Sequence, residues 1–297
     1  MEKRTKKTNA QTPFPIRAGI VRGMPEIFPK NEFRILCWHE ELQLNLVTQG
    51  AMEIWINGIC YFLNAGEAIL INRNFLHKVM NLTEDAQYVK LHFPDRLLGF
   101  CEESEMAKKA VYAFTRQYAF SAVVFRKEIP WQAEILEELG KLQTLLLYTI
   151  PQKGEKYAAY RAALLLSGIW YRLICHTDGE FALPSRGMVR KLERIQSMLS
   201  YLHENYGKTV RLSDIAAAGD ASEGECCRCF QEMTGDSSGR YLMGYRISKA
   251  AELLTKTGDS LAEIAEKTGL SDTSHFIQYF RRQYGVTPKE YREQLRL

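Results

Sequence analysis

Residues 261–291 read LAEIAEKTGLSDTSHFIQYFRRQYGVTPKEY, and residues 212–241 carry a weaker copy, LSDIAAAGDASEGECCRCFQEMTGDSSGRY. An internal repeat with a period of about 50 residues is the signature of one supersecondary unit used twice. The chain from residue 188 onward therefore predicts an all-helical domain of two similar units. The matched positions are SDIA at 213–216 with AEIA at 262–265, and Phe230, Gly235 and Tyr241 with Phe280, Gly285 and Tyr291.

Each copy predicts a short helix, a turn and a second helix. Ser222 with Glu225, and Ser260 with Glu263, have the S-x-x-E spacing of a capping box, which marks a helix start. Gly269 suits the tight turn of the second copy. These signals predict two helix-turn-helix units, at about 212–232 and 261–282.

Several strings carry a more specific resemblance. They are IAEKTGLS from Ile264, FRR from Phe280, GVTP from Gly285 and YRISKAAELL from Tyr245. In order and spacing they resemble the C-terminal signature and the linker helix of AraC-family regulators, and residues 195–206 resemble the first helix of that domain. The resemblance covers about 110 residues. It implies a sequence-specific transcription regulator whose partner is double-stranded promoter or operator DNA.

The resemblance places the two reading helices at 222–232 and 272–283. A helix fits the major groove, which is about 12 Å wide, and two such helices meet groove faces about 34 Å apart. The predicted DNA-binding residues are Ser222, Glu223, Gly224, Cys227 and Arg228 in the first helix and Asp272, Thr273, Ser274, His275, Gln278, Arg281 and Arg282 in the second.

The chemistry of these side chains suggests a division of roles. Arg228 suits a bidentate contact with guanine, and Gln278 suits adenine. Arg281, Arg282, Lys289 and Arg292 suit phosphate contacts, which position the protein without reading sequence.

The first copy departs from the pattern of the second. Asp220 and Ala221 replace the turn glycine and the following large apolar residue, Ser238 stands where the second copy has Pro288, and Gly224 removes a reading side chain. We expect the second unit to dominate recognition.

Overall charge does not identify a nucleic-acid-binding protein here. The chain has 39 basic and 35 acidic residues, a net charge of +4, and the helical domain from residue 187 is nearly balanced. Any DNA affinity must come from local clusters of basic residues.

The seven cysteines lack the spacing of a disulfide framework, and no apolar run is long enough to cross a membrane. The first ten residues are polar and basic, unlike a secretory signal. These features predict a cytoplasmic protein without a membrane partner. Cys226, Cys227 and Cys229 lie on the first reading helix, where buried packing is favoured over a metal or redox site.

The region from Phe14 to Phe125 predicts many short strands. The run from Leu42 to Val47 is mostly apolar, and Asn57–Gly58 suits a tight hairpin. Strands at this spacing indicate a barrel or sandwich. The fold class is therefore multi-domain α+β, a cupin-like β-barrel with a helical extension and an all-α domain with two helix-turn-helix motifs.

From about residue 129 the apolar spacing becomes helical. Trp131, Ile135 and Leu139 begin one amphipathic helix, and Tyr160, Leu164 and Leu166 belong to the next. These helices either complete the barrel core or present a dimer face. The predicted divisions are 1–128 (sensor barrel), 129–177 (helical dimerisation or connector region), 178–187 (linker) and 188–297 (DNA-binding domain).

The β region resembles the cupin-like sensor barrel that precedes the DNA-binding part of many such regulators. At the positions of the cupin metal ligands it has Cys37–Trp38–His39, then Gln43 and His77. One thiol and one amide replace histidine and carboxylate, so a metal cofactor is not expected. The predicted effector-binding residues are His39, Gln43, Trp55 and His77.

Three functions remain open at this point. The favoured one is a non-enzymatic regulator controlled by a small-molecule effector, such as a sugar or another metabolite, acting as a homodimer that contacts RNA polymerase. The second is a metal-dependent cupin enzyme fused to a DNA-binding domain. The third is an effector-independent DNA-binding protein with a purely structural barrel.

Overall fold

The computed structural model describes residues 15–22, 36–152, 155–177, 185–270 and 272–294. Its strands are β1 (Arg17–Arg22), β2 (Leu42–Gln49), β3 (Ala51–Ile56), β4 (Ile59–Asn64), β5 (Ala68–Ile71), β6 (His77–Leu82), β7 (Gln87–Phe93) and β8 (Ala122–Phe125). Its helices are α1 (Glu105–Ala107), α2 (Ala113–Thr115), α3 (Pro130–Thr144), α4 (Ala158–Thr177), α5 (Arg186–Asn205), α6 (Leu212–Ala218), α7 (Glu223–Thr234), α8 (Ser238–Lys256), α9 (Leu261–Lys267), α10 (Thr273–Tyr284) and α11 (Pro288–Gln294).

The N-terminal domain consists of two antiparallel sheets that face each other. One has the strand order β1-β7-β2-β5-β8 and the other the order β4-β3-β6. The hairpin between β3 and β4 turns at Asn57 and Gly58, whose φ angles are +46° and +92°, as the Asn-Gly pair predicts. The predicted sheet-rich N-terminal domain is confirmed.

Strand β2 is buried on both faces from Leu42 to Val47, so its polar as well as its apolar residues are covered. Leu42, Leu44 and Leu46 face a core shared with α3 and α4. The alternate residues Gln43 and Asn45 are also buried, at 2% and 0% exposure. Because successive side chains point to opposite faces, these polar residues face the space between the sheets.

Helices α3 and α4 pack on the outer face of the five-stranded sheet and so complete the core of the barrel. Buried residues of both helices, among them Leu139 and Trp170, belong to one cluster with the leucines of β2. Tyr160 and Leu164 do not follow the sequence expectation that they belong to this apolar face. They are 69% and 51% exposed, because the α4 face carrying them points away from the sheet.

The C-terminal domain contains two three-helix units joined by α8. The first unit packs around Phe230, and the second packs around Phe276 and Phe280. The reading helices α7 and α10 each end at a left-handed glycine, Gly235 and Gly285, with φ of 75° and 78°. This left-handed ending is the usual glycine C-cap of a helix. The predicted pair of helix-turn-helix units is confirmed.

The departures in the first unit are accommodated without loss of the motif. Asp220 takes the left-handed turn conformation, with φ of +47°, that Gly269 takes at +74° in the second unit. Asp is among the few residues that tolerate this region. Ser238 and Pro288 occupy equivalent places, each as the first residue of the helix that follows.

The barrel packs directly against the first unit. Leu76 lies in the core cluster of that unit, and Trp38 and Trp55 pack on its edge. The Tyr118 hydroxyl donates a hydrogen bond to Gln196 Oε1 at 3.2 Å, and Gln196 Nε2 donates to the Asn74 carbonyl at 2.8 Å. Barrel and first unit therefore form a continuous packed body.

Most of the predicted linker, together with the basic N-terminal decapeptide, lies outside the described residues. Among the helices that the structure describes, none is long and apolar enough to span a bilayer.

Gly269 of the second unit lies tightly against the end of the first unit, and this generates a stability prediction. A Cβ there would lie 2.7 Å from the Tyr206 carbonyl oxygen and 3.0 Å from Arg246 Nη2, whereas a Cβ at Gly235 would meet nothing within 4 Å. Both glycines have positive φ. Gly235→Ala should therefore cost only backbone strain of about 1–2 kcal/mol, while Gly269→Ala adds a steric cost of about 1–3 kcal/mol.

The free energy of unfolding of the two full-length variants, measured in urea, checks this difference. Equal destabilisation by the two substitutions would show that the close contact at Gly269 contributes nothing.

Candidate functional site

The first reading helix, α7, presents one polar face to solvent. Its N-cap Ser222 accepts a hydrogen bond from the Glu225 amide, and Glu225 in turn accepts from the Ser222 amide. These hydrogen bonds hold the pKa of Glu225 below its usual value. Burial of Cys226, Cys229 and Phe230 against the unit directs the opposite face outward. That face consists of Glu223, Gly224, Cys227 and Arg228, all exposed.

The guanidinium of Arg228 lies beside Gly224. A Cβ at position 224 would lie 3.8 Å from Arg228 Nη1, an ordinary van der Waals contact, so the guanidinium extends back along the helix towards this glycine.

The cysteines of α7 differ in environment. Burial raises the pKa of Cys226 to about 11 and also raises the pKa of Cys229. A raised pKa disfavours the thiolate that a metal or redox site requires. The two buried thiols therefore act as small apolar packing groups, and Cys227 alone of the three is exposed.

The second reading helix, α10, repeats this arrangement. Phe276, Phe280 and Tyr284 are buried. The N-cap Asp272 accepts hydrogen bonds from the amides of Ser274 and His275, at 2.7 and 3.3 Å, which lower its pKa. The outward face combines half-buried Thr273 with the exposed residues Ser274, His275, Gln278, Arg281 and Arg282.

Two predicted phosphate-contact residues differ in their surroundings. Lys289 is exposed at the start of α11. Arg292 is half-buried, and its Nη2 donates to the Asp259 carbonyl at 2.6 Å. Arg292 therefore joins α11 to the loop before α9, a structural contact that the sequence did not reveal.

Helix α8 sets the distance between the two reading helices. It contains 19 residues, which span roughly 28 Å at 1.5 Å per residue. Arg246 of this helix donates from Nε to the Tyr206 carbonyl at 2.7 Å and from Nη2 to the Lys208 carbonyl at 2.6 Å. The long helix is thereby fixed to the end of the first unit.

Inside the barrel, three of the four predicted effector residues come together. Gln43 Oε1 lies 2.9 Å from His39 Nε2 and 3.1 Å from His77 Nε2. Trp55 is not part of this group. It lies on the other face of β3, where it packs towards the first helix-turn-helix unit beside Lys78.

His92 belongs to the same cluster and was not singled out from the sequence. Its ring centroid lies 4.7 Å from that of His39, and it pairs with Gln43 across β7 and β2. Burial, with a smaller effect of Lys90, lowers the pKa of His92 to about 2. The pairing of β2 with β7 places His92 beside Gln43, but the sequence alone does not show that these two strands are neighbours.

The cluster is electrically neutral. Burial lowers the pKa of His39, and burial together with the proximity of His39 lowers that of His77 much further. The remaining ring nitrogens, both Nδ1, face the carbonyls of Glu41 and Phe75 at 2.8 and 2.9 Å. Each neutral ring has one N–H group, so the two rings can donate in only two of these four contacts. All four contacts are satisfied when each Nδ1–H donates to its carbonyl and the NH₂ group of Gln43, in place of Oε1, donates to both Nε2 atoms.

This hydrogen bonding leaves no ring nitrogen of His39 or His77 free for a metal. Within the described ranges, no group of three His, Cys, Asp or Glu residues is arranged to hold a metal ion.

Comparison with known proteins matches both domains. Residues 26–126 match the model of the AraC-like ligand binding domain, and residues 215–294 match a helix-turn-helix domain. Together the two matches cover more than half of the chain.

Two relatives match the chain over most of its length. The chain is 27% identical over 268 residues to the uncharacterised HTH-type transcriptional regulator YdeC of Bacillus subtilis, covering 89% of this chain and 87% of that protein. It is 26% identical over 264 residues to the HTH-type transcriptional activator RhaS of Pectobacterium carotovorum, covering 86% and 87%.

A solved structure shares the fold over nearly the full length. A structure of ToxT from Vibrio cholerae superposes with a TM-score of 0.57 at 13% identity, covering 95% of this chain and 99% of that one. The two matched domains, the full-length relatives and the paired helix-turn-helix units agree: this chain belongs to the AraC family of transcription regulators, with an N-terminal ligand-binding domain and a C-terminal DNA-binding domain.

Proposed function

We propose that this regulator reads its operator with the outward faces of α7 and α10 and that α10 contributes most of the sequence preference. The observation that carries the proposal is the equivalent placement of the two helices, each with a buried apolar face and an exposed polar face. The α10 face has five exposed polar residues, two of them arginines, whereas α7 offers a glycine where a reading side chain is expected.

The roles of individual residues follow from geometry and chemistry. Arg228 and Gln278 are exposed near the middle of their helices and suit guanine and adenine edges. Arg281 and Arg282 lie towards the end of α10 and suit phosphates. Ser222 and Asp272 already cap their helices, so their role in DNA binding is to hold the N-terminal turn that enters the groove.

The effector proposal rests on the polar cluster inside the barrel. His39, Gln43 and His77 are uncharged hydrogen-bonding groups, and a ligand that enters the barrel would exchange their present hydrogen bonds with one another for its own. Such a surface suits a neutral hydroxylated metabolite such as a sugar, which both donates and accepts hydrogen bonds. Trp55 takes part only through the contact between the barrel and the first unit.

The homodimer proposal rests on α4. Its outer face, together with the residue just before the helix, carries Tyr157, Tyr160, Leu164 and Tyr171, which are 51% to 69% exposed and recur every three, four or seven residues. A continuous apolar stripe of this kind marks an interaction surface, and a second copy of the chain gives a self-complementary contact.

The remaining parts of the proposal concern cellular context. We place the protein in the cytoplasm, acting on promoter DNA and contacting RNA polymerase, without an enzymatic activity of its own.

The division between base-reading and phosphate-contacting residues can be tested on the full-length protein. Arg228→Ala and Gln278→Ala should each lower affinity for the operator by about 1–3 kcal/mol and relax preference at one base pair. Arg282→Ala should weaken operator and random DNA alike and reduce the salt slope by about one. Competition binding against randomised operators at several salt concentrations measures both effects.

Lys141→Ala, on an exposed part of α3, is the matched control and should leave binding unchanged. Equal affinity of the unmodified protein for operator and random DNA would refute sequence-specific recognition, and an unchanged base preference in both reading variants would refute the assigned roles.

The dimer surface predicts a separate effect. Leu164→Glu places a charge in the middle of the α4 stripe and should shift the protein from dimer to monomer, because an unpaired charge would be buried in the contact. Sedimentation velocity measures this shift. Phe62→Glu alters a similarly exposed apolar residue on β4, 57% exposed, and should leave the dimer intact; dissociation by this control alone would assign the interface to the sheet.

A further inference from the structure

A polar cleft lies at the boundary between the barrel and the DNA-binding domain, apart from the histidine cluster. It encloses about 460 Å³, within the range of small-molecule sites. Its walls come from the barrel loop that carries Arg73, from the segment after α2 and from Gln196 of α5. The lining residues on which the inference rests are Arg73, Asn74, Arg116, Gln117, Tyr118 and Gln196.

Two guanidinium groups at this cleft share one buried carboxylate. Arg73 Nη1 lies 2.9 Å and Arg116 Nε lies 3.5 Å from Asp95 Oδ2, which also accepts from the Thr115 hydroxyl at 3.1 Å. Glu40 is the other carboxylate near Arg73, at 4.0 Å, but it is 72% exposed and therefore strongly screened. Two guanidinium groups therefore share a single buried carboxylate, while Glu40 and Glu193, which acts on Tyr118, lie further out.

Both guanidinium groups are held in place. The Arg116 guanidinium carbon lies 3.5 Å from the centroid of the Tyr112 ring, a stacked arrangement that fixes the plane of the group. Arg73 is only 18% exposed. A fixed pair of planar cations is the arrangement that recognises carboxylate and phosphate groups in proteins.

Two polar atoms lie behind the wall of the cleft. Within the described residues, Arg73 Nε and Asn74 Oδ1 are buried and have no hydrogen-bond partner. Buried polar atoms are usually paired. Both are covered by protein, so an anion in the cleft would meet the outer nitrogens of the guanidinium pair and not these two atoms.

We propose that this cleft is a second effector site, which binds a small metabolite carrying a carboxylate or phosphate group. It is distinct from the interior of the barrel, since it contains none of the residues of the histidine cluster. The positive pair Arg73 and Arg116 binds the anionic group, and Asn74, Gln117 and Gln196 offer amides to the rest of the molecule.

The cleft is placed to affect the DNA-binding domain. Tyr118 and Gln196, which line it, form the hydrogen bonds that link the barrel to α5. A ligand that contacts both the barrel and α5 binds the docked arrangement more tightly than an undocked one. The ratio of these two ligand affinities sets how far the ligand changes the affinity for DNA. This coupling rests on the proposed function, whereas binding of the anion does not.

Binding is tested on the full-length protein without DNA. Inorganic phosphate and succinate are titrated separately by calorimetry, up to about 10 mM, with chloride added to hold ionic strength constant. At least one of them should bind the unmodified protein, and the two titrations distinguish a phosphate ligand from a carboxylate ligand. Failure of both anions to bind would overturn the proposal.

The decisive variant is Arg116→Gln, because Arg116 is 54% exposed and its loss leaves Asp95 paired with Arg73. We expect it to weaken anion binding by about tenfold or more. The matched control is Arg126→Gln, which removes another partly exposed arginine, 45% exposed, from a buried carboxylate, Glu67. It should bind the anion as the unmodified protein does.

Two outcomes would contradict the proposal. Anion binding that is unchanged in Arg116→Gln, or lost equally in Arg126→Gln, would show that the cleft is not the binding site. If Arg116→Gln weakens DNA binding while anion binding is unchanged, Arg116 contacts the DNA backbone instead. Because the titration contains no DNA, its result is independent of whether the proposed operator recognition is correct.

Discussion

The functional geometry of this chain depends on how Arg246 fastens the long helix α8 to the first helix-turn-helix unit. The two carbonyls that it contacts, those of Tyr206 and Lys208, lie just beyond the end of α5, where helix carbonyls lack partners within the helix. A cation at this end is favoured both by hydrogen bonding and by the helix dipole. Gly269 then fits beneath the guanidinium, so the second unit is positioned against the same contact.

Much of this architecture could be predicted from the sequence because the C-terminal domain uses one pattern twice. The repeat, the capping boxes and the glycine turns specify local structure, and local structure here decides which face of each reading helix is exposed. Asp220 shows the limit of this reasoning. Its replacement of glycine looks like a loss of the turn, yet the backbone adopts the left-handed conformation anyway, because aspartate tolerates it at small cost.

The features that sequence could not predict are those set by tertiary packing. Trp55 alternates correctly for a strand, but only the fold shows that its face of β3 meets the DNA-binding domain and not the barrel interior. His92 joins the histidine cluster through a pairing between distant strands. Tyr160 and Leu164 have helical apolar spacing, but α4 carries apolar residues on two faces, one buried and one exposed.

The shared core between the barrel and the first unit has a consequence for folding cooperativity. Leu76, Trp38 and Trp55 of the barrel pack into that unit. Among the described residues, the core cluster of the second unit draws on the C-terminal domain alone. The barrel and the first unit therefore behave as one cooperative block, while the second unit can open separately. Ala221 stands where the second unit has Leu270, and it packs on a core that barrel side chains also enter. The unit with the weaker motif thus shares its core with the barrel, whereas the second unit is joined to the rest of the chain through α8 and the contact at Gly269.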